Sequence, residues 1–397
     1  MEQFLKGCDR TFHLKGNRLC QLLALAIALV IGLGYPGLAE AATQVQWSET
    51  TPNQAGFRKA IEPKDWTFPA DFGPHPDYQT EWWYYTGNLE TETHQPLGFQ
   101  LTVFRRALSP QSAATDSPWR TPQIFSAHFT VSDIQHQRFY HQERFSRGSV
   151  GLAGAEADPY QVWIHDWSAQ QVAPDTVQLQ ANTESAAIDL KVRQSRPPVL
   201  QGNQGLSQKG QEPGNASYYY SLIQQPTAGT VRIGEQTYQV TGVTWKDHEY
   251  STSALSSGTV GWDWFSAQMD DGSALMLYRL RHEDGATEPT SGGKFISAKG
   301  EVSLHPEDWQ LEVTDTWVSP HSQATYPAQW QLRVPKLDLS LQITPQMADQ
   351  ELNTSTATYW EGAVSYNGDQ AAQPITGQGY VELTGYADRL DSLLGER

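Results

Sequence analysis

From about residue 76 onward, apolar and polar positions alternate in short runs broken by turn residues, the period of strands rather than helices. Phe99-Gln100-Leu101-Thr102-Val103 alternates, and Ser126 to Asp133 places Ala127, Phe129 and Val131 on one face. Thr230 to Val243 reads as a hairpin turning at Gly234-Glu235. Only Ala387 to Leu394, apart from the amino-terminal lead-in, suggests a helix of any length. The pattern therefore predicts an all-β protein, and parallel α/β nucleotide-binding folds lose their support. No Gly-x-Gly-x-x-Gly or phosphate-loop pattern occurs.

The amino-terminal segment differs. Lys6, Arg10, Lys15 and Arg18 precede the uncharged apolar run Leu22 to Leu33, Pro36 and Gly37 break it, and Ala39-Glu40-Ala41 follows as a small-x-small site. The run is shorter than the roughly 20 residues of a membrane span. We expect a signal peptide over residues 1–41, hence a protein exported to the periplasm or beyond, an irregular lead-in over 42–75, and no stable membrane span after cleavage. An anchor kept uncleaved is the other reading.

Cleavage after Ala41 would remove both cysteines, Cys8 and Cys20, leaving no disulfide, thiolate nucleophile or thiolate metal ligand. The full chain has 397 residues with 27 Lys and Arg against 44 Asp and Glu, a net charge of −17, which argues against nucleic acid as a partner. Aromatic residues make up 11%, with 14 Trp, and they cluster.

The clustering exposes a repeat. Glu81-Trp82-Trp83-Tyr84-Tyr85-Thr86-Gly87-Asn88-Leu89 matches Gly261-Trp262-Asp263-Trp264-Phe265-Ser266-Ala267-Gln268-Met269 at an offset of 180 residues. Each precedes an alternating strand ending in an aromatic residue and arginine, Phe104-Arg105-Arg106 and Tyr278-Arg279-Leu280-Arg281. The repeat predicts two β domains of one plan, 76–253 and 254–397, each large enough for an antiparallel barrel.

Five blocks carry a family resemblance: His75-Pro76-Asp77-Tyr78-Gln79-Thr80-Glu81-Trp82-Trp83-Tyr84-Tyr85-Thr86-Gly87, Ser217-Tyr218-Tyr219-Tyr220-Ser221, Trp245-Lys246-Asp247-His248-Glu249-Tyr250, Gly261-Trp262-Asp263-Trp264-Phe265 and Tyr359-Trp360-Glu361-Gly362. In this order they resemble the lipocalin-like family that groups AttH proteins with carotenoid 1,2-hydratases (hydroxyneurosporene synthases), and the exported AttH-like branch above all. The resemblance implies two tandem lipocalin-like antiparallel β-barrels and an apolar, aromatic-lined cavity at or between them. It also implies that His248 corresponds to a histidine of the hydratase reaction, and Tyr250 to an aromatic residue near it. The hydratases add a tyrosine and an aspartate two residues apart; here Tyr278 is followed by Leu280, so the acid is missing.

Asp247, His248 and Glu249 form the densest ionisable cluster, placed by the pattern just after the apolar run Val240 to Trp245. Either His248 and a carboxylate form an acid–base pair, or Asp247 and Glu249 cap a turn. Hydrating an alkene needs an acid still neutral near pH 7 and aromatic faces for the cation. Asp263, on one face with Phe265, Ala267 and Met269, is the substitute acid, unless it pairs with Arg279 or Arg281. Glu81 shares parity with Trp83 and Tyr85, and its bland role is to pair with Arg105 or Arg106.

Trp83, Tyr85, Tyr219, Trp245, Trp262 and Trp264 are the candidate ligand-binding aromatics, although alternation lets at most half of each run face one cavity. No Gly-x-Ser-x-Gly elbow supports a hydrolase, and His136, His141 and His248-Glu249 lack metal-site spacing, so no metal or cofactor is expected. The sequence thus points to an exported protein enclosing an apolar isoprenoid or lipid-like small molecule. Two roles stay open, an enzyme such as a hydratase or a hydrolase, and a non-enzymatic carrier. Protein partners are not indicated.

Overall fold

The computed structural model describes residues 54, 56–110, 117, 119–252, 255–256 and 258–388. The expected signal peptide lies outside these residues, as does most of the expected helix at 387–394. What is described is β structure in two antiparallel sheets.

The first sheet contains β1 (Thr80–Thr91), β2 (Pro96–Ala107), β3 (Gln123–Asp133), β4 (Arg138–Arg147), β5 (Ala153–Ala157), β6 (Tyr160–Ile164), β7 (Trp167–Ala173), β8 (Thr176–Asn182), β9 (Ala186–Arg193), β10 (Val199–Leu200), β11 (Leu206–Gln208), β12 (Ala216–Ile233) and β13 (Gln236–Ser251). The second contains β14 (Thr259–Met269), β15 (Ala274–His282), β16 (Gly292–Ser297), β17 (Gly300–Leu304), β18 (Gln310–Val318), β19 (Thr325–Val334), β20 (Leu339–Pro345), β21 (Glu351–Asn353), β22 (Thr358–Gln370) and β23 (Gln373–Leu383). Gly234-Glu235 is the turn between β12 and β13.

Both sheets curl into barrels on the same plan. The first strand bonds to the second and to the last, β1 to β2 and β13, β14 to β15 and β23. The internal repeat is thus the central hairpin of each barrel, the place where its ends meet. Barrel formation follows from alternation: on β1, Trp83, Tyr85 and Leu89 turn into the first core with Phe99, Leu101 and Val103 of β2. In the second, Phe265, Ala267 and Met269 turn inward with Leu275 and Leu277.

The opposite faces of these central strands pack on each other. Tyr84, Tyr219 and Trp245 of the first sheet meet Trp264, Tyr278 and Tyr380 of the second in one buried cluster. The two sheets belong to one packed unit, so each central strand has two dry sides, a barrel interior and this seam. A strand buried on both sides cannot hold a run of ionisable residues without giving them different surroundings.

Candidate functional site

Strand alternation divides the Asp247-His248-Glu249 cluster. The reading that placed it beyond the strand is corrected: β13 continues to Ser251. His248 therefore turns into the first barrel with Trp83, its partner on β1, and Tyr220, its partner on β12. Asp247 and Glu249 turn to the seam. An acid–base pair of His248 with either neighbour is not formed, because adjacent strand residues point to opposite faces.

His248 has a different carboxylate. Its Nε2 lies 2.9 Å from Glu81 Oε1, and the same oxygen is 2.8 Å from His75 Nδ1. Arg105 Nε donates to Glu81 Oε2 at 2.8 Å, and Asp71 Oδ1 is 3.1 Å from His75 Nε2. Tyr220 Oη is 2.9 Å from His248 Nδ1, and Lys64 donates to Tyr250 Oη at 3.0 Å. Tyr250 stacks on His75 at 3.7 Å between ring centroids.

Burial pushes the Glu81 carboxyl up, but the histidine hydrogen bonds and the Arg105 charge outweigh it and hold it well below the usual range. His75 feels burial too, yet Asp71 and Glu81 win and raise it, whereas burial takes the deeper His248 down to about 4. The Glu81–Arg105 pairing is present, with two histidines added. His75 borders a cleft of about 260 Å³ whose wall includes Arg58, Lys64, Asp77, Tyr78 and Tyr218. His75 Nδ1, Glu81 and His248 Nε2 lie within 4.8 Å of one another and are the group that could hold a metal ion among the described residues.

Asp263 does not take part in either constellation. It turns into the second barrel, where Arg281 Nε donates to it at 2.9 Å, Arg279 Nε at 3.0 Å and Tyr386 Oη at 2.9 Å. Its expected role as free proton donor is therefore replaced by the arginine pairing, with each oxygen engaged by a guanidinium group. Asp263 is the second barrel's version of Glu81, an inward acid near the start of the first strand with arginine opposite.

The seam holds the other acids. Asp247 accepts from Tyr219 Oη at 2.6 Å, Ser221 Oγ at 2.5 Å and Trp245 Nε1 at 2.7 Å. Burial nevertheless raises its carboxyl to about 7, against these donors. Glu249 pairs with Lys209 Nζ at 2.9 Å. Lys209 also lies 4.6 Å over the Tyr278 ring, whose hydroxyl donates to Thr290 O at 2.9 Å.

Two seam acids were not singled out from the sequence. Glu361 and Glu382 stand opposite each other on β22 and β23. Glu361 is fully buried and accepts from Tyr84 Oη at 2.7 Å; Glu382 keeps partial exposure and accepts from Trp262 Nε1 at 3.0 Å. Burial raises Glu382 to about 7, opposed by the Trp262 bond, and burial with the Glu382 charge lifts Glu361 well above the usual range. An acid inside the apolar run Tyr380-Val381-Glu382-Leu383 is the signal that could have found the pair.

The candidate aromatics pack rather than line an open chamber. Trp83 stacks on His248 at 5.0 Å and Tyr85 Oη is 2.8 Å from Tyr160 Oη, both inside the first barrel. Tyr219, Trp245, Trp262 and Trp264 belong to the seam, where Trp264 Nε1 donates to Tyr219 Oη at 3.2 Å. An open aromatic cavity is thus replaced by buried rings in mutual contact. The seam reaches solvent at Trp82, Trp262 and Leu255, which are partly exposed. Within it, Thr86 Oγ1, Asn88 Oδ1 and Gln100 Oε1 are buried and find no partner among the described residues. Buried polar atoms of this kind are ordinarily satisfied by water.

The sequence matches the AttH-like family over residues 59–386. A solved structure from Nitrosomonas europaea, assigned to the AttH type, is 35% identical, with TM-score 0.74, covering 83% of this chain and all of its own. Kievitone hydratase of Fusarium solani subsp. phaseoli is 24% identical over 244 residues, 59% of this chain and 68% of that protein. A dehydratase of Emericella nidulans, AsqC, is 20% identical over 52% of this chain and 61% of its own length. The kievitone hydratase structure from Nectria haematococca shares the fold, with TM-score 0.62 at 14% identity, covering 83% of this chain and 98% of its own. Two barrels on one plan, the blocks that join them at the seam, and a family match spanning nearly all the described residues place the chain in the AttH-like family.

Proposed function

We propose that this protein adds water to, or removes it from, an apolar unsaturated small molecule at the seam between its barrels, with Glu382 as the acid. The observation that carries this reading is the facing pair Glu361 and Glu382: with Glu361 fully buried and Glu382 half-buried opposite it, the two carboxyls cannot both be charged cheaply. One proton stays on the pair near pH 7, and hydration of an alkene needs such a neutral acid.

The steps balance simply. The carboxyl proton adds to one alkene carbon, and the resulting cation sits against the seam rings, of which Trp262 bonds to Glu382 and Trp264 stands opposite it. Water then adds to the other carbon and returns a proton to the carboxylate; dehydration is the same path reversed. The orphaned polar atoms of Thr86, Asn88 and Gln100 suit a site that handles water. Glu382, partly exposed, is the member an incoming molecule can reach. The hydratase and dehydratase among the relatives are named for these two directions. The amino-terminal segment adds the proposal that the work is done outside the cytoplasm, testable by cell fractionation.

The test is incubation of the purified chain with kievitone and a set of unsaturated isoprenoids in oxygen-18 water, followed by mass spectrometry. We expect the label in a hydrated product, and a loss of roughly 10²-fold or more in Glu382→Gln. Binding without turnover would leave a carrier and overturn the hydratase reading, as would full activity in Glu382→Gln.

A further inference from the structure

We infer that His75 Nδ1, Glu81 Oε1 and His248 Nε2 form a binding site for one divalent transition-metal ion of the zinc class, at the mouth of the first barrel. This goes beyond the seam chemistry and does not rest on it, since Glu361 and Glu382 belong to strands of the second sheet.

The donor set comes first. Two imidazole nitrogens and one carboxylate oxygen, all within 4.8 Å of one another, are the ligands that zinc and its neighbours prefer. Glu81 Oε1 lies 2.8 Å from one nitrogen and 2.9 Å from the other. Ligands about 2.0–2.1 Å from a tetrahedral ion stand about 3.3–3.4 Å apart, so the group would open by about 0.5 Å as its hydrogen bonds give way to the ion.

The surroundings are the independent observation. A ligating histidine ordinarily has its other nitrogen tied to a carboxylate or similar partner, which fixes the ring and its tautomer. Both rings here have one: His75 Nε2 faces Asp71 Oδ1 at 3.1 Å, and His248 Nδ1 faces Tyr220 Oη at 2.9 Å. The second oxygen of Glu81 is held by Arg105 Nε at 2.8 Å. Each ligand atom is thus aimed at one point by a partner on its far side. Glu81 and His248 are fully buried, and His75 borders the 260 Å³ cleft. Of the three ligands His75 alone lines the cleft, and it gives an ion its path of entry to the buried pair.

Sequence spacing hides such a site. His75 belongs to the lead-in, Glu81 to β1 and His248 to β13, and only the register Trp83↔His248 brings them together.

The test is titration of the full chain, stripped with a chelator, with cobalt(II), read by visible absorption and by calorimetry. We expect saturation at one ion per chain and displacement of cobalt by zinc. His75→Gln, which alters a loop residue rather than the core, should abolish the saturable phase, and Glu81→Gln should do the same if it folds. Asp71→Asn should weaken binding roughly 10–100-fold, a change that loss of a mere structural contact would not produce in a metal titration. His321→Gln, at an exposed histidine paired with Asp349, should leave the titration unchanged. No saturable binding, or equal binding in His75→Gln, would overturn the site, whatever the outcome for Glu382.

Discussion

Asp263 and Glu382 are both acids in apolar strands, and their neighbours send them opposite ways. Asp263 is gripped by Arg279, Arg281 and Tyr386 inside the second barrel, so it is a structural anchor. Asp263→Asn would leave two guanidinium groups without their counter-charge. We expect a loss of about 3 kcal/mol in stability by urea unfolding, with little effect on hydration by the folded fraction. Glu382 has a tryptophan N–H, Glu361 opposite and the charges of Asp247 and Glu249 for company, and pairs with no cation among the described residues. Composition around Asp263 could not reveal this. Arg279 and Arg281 stood two positions apart on the next strand, and pairing with them was a visible alternative; the strand register decided it. His75 shows no role in the sequence, because its partners Asp71 and Glu81 meet it only through the folded lead-in.

At the scale of strands, β22 and β23 hold Glu361 against Glu382. Burial raises the Glu382 carboxyl from 4.5 to about 7, so the folded protein binds its proton more tightly than the unfolded chain. Stability from this group is therefore fully present below about pH 4.5 and is lost as pH rises towards 7. Glu382→Gln should remove that slope and raise stability at pH 8 by about 1–2 kcal/mol, a range reduced for its partial exposure, while changing little at pH 4. Thermal melts across this window measure it; an unchanged slope would contradict the assignment. The central hairpin is equally demanding. A Cβ on Gly87 of β1 would come within 2.3 Å of the Phe99 ring opposite it on β2. Gly87→Ala should cost about 1–3 kcal/mol through overpacking, read by denaturant unfolding.

Alternation explains how much of these elements was legible. It predicted the strands and the hairpin at Gly234-Glu235, because period-two burial is a local property. It also contained the fate of Asp247, His248 and Glu249, once the strand was extended to Ser251. The apolar run ending at Trp245 hid that extension, since a strand buried on both sides tolerates polar residues only where each finds a partner.

For the whole molecule, the repeat of 180 residues marks where two barrels present their central strands to each other. The first barrel holds the His75, Glu81, His248 group on its inner side, and the second presents Glu361 and Glu382 to the seam. No local pattern shows which face is which, so the tandem barrels were readable while the seam acids Glu361 and Glu382 were not. The account stands on one of those carboxyls keeping its proton near neutral pH. Infrared spectroscopy of the carboxyl carbonyl stretch, titrated through pH 7, tests this most directly. We expect a protonated-carboxyl band below that pH that fades above it and is diminished in Glu382→Gln. A band absent throughout, or identical in Glu382→Gln, would contradict it.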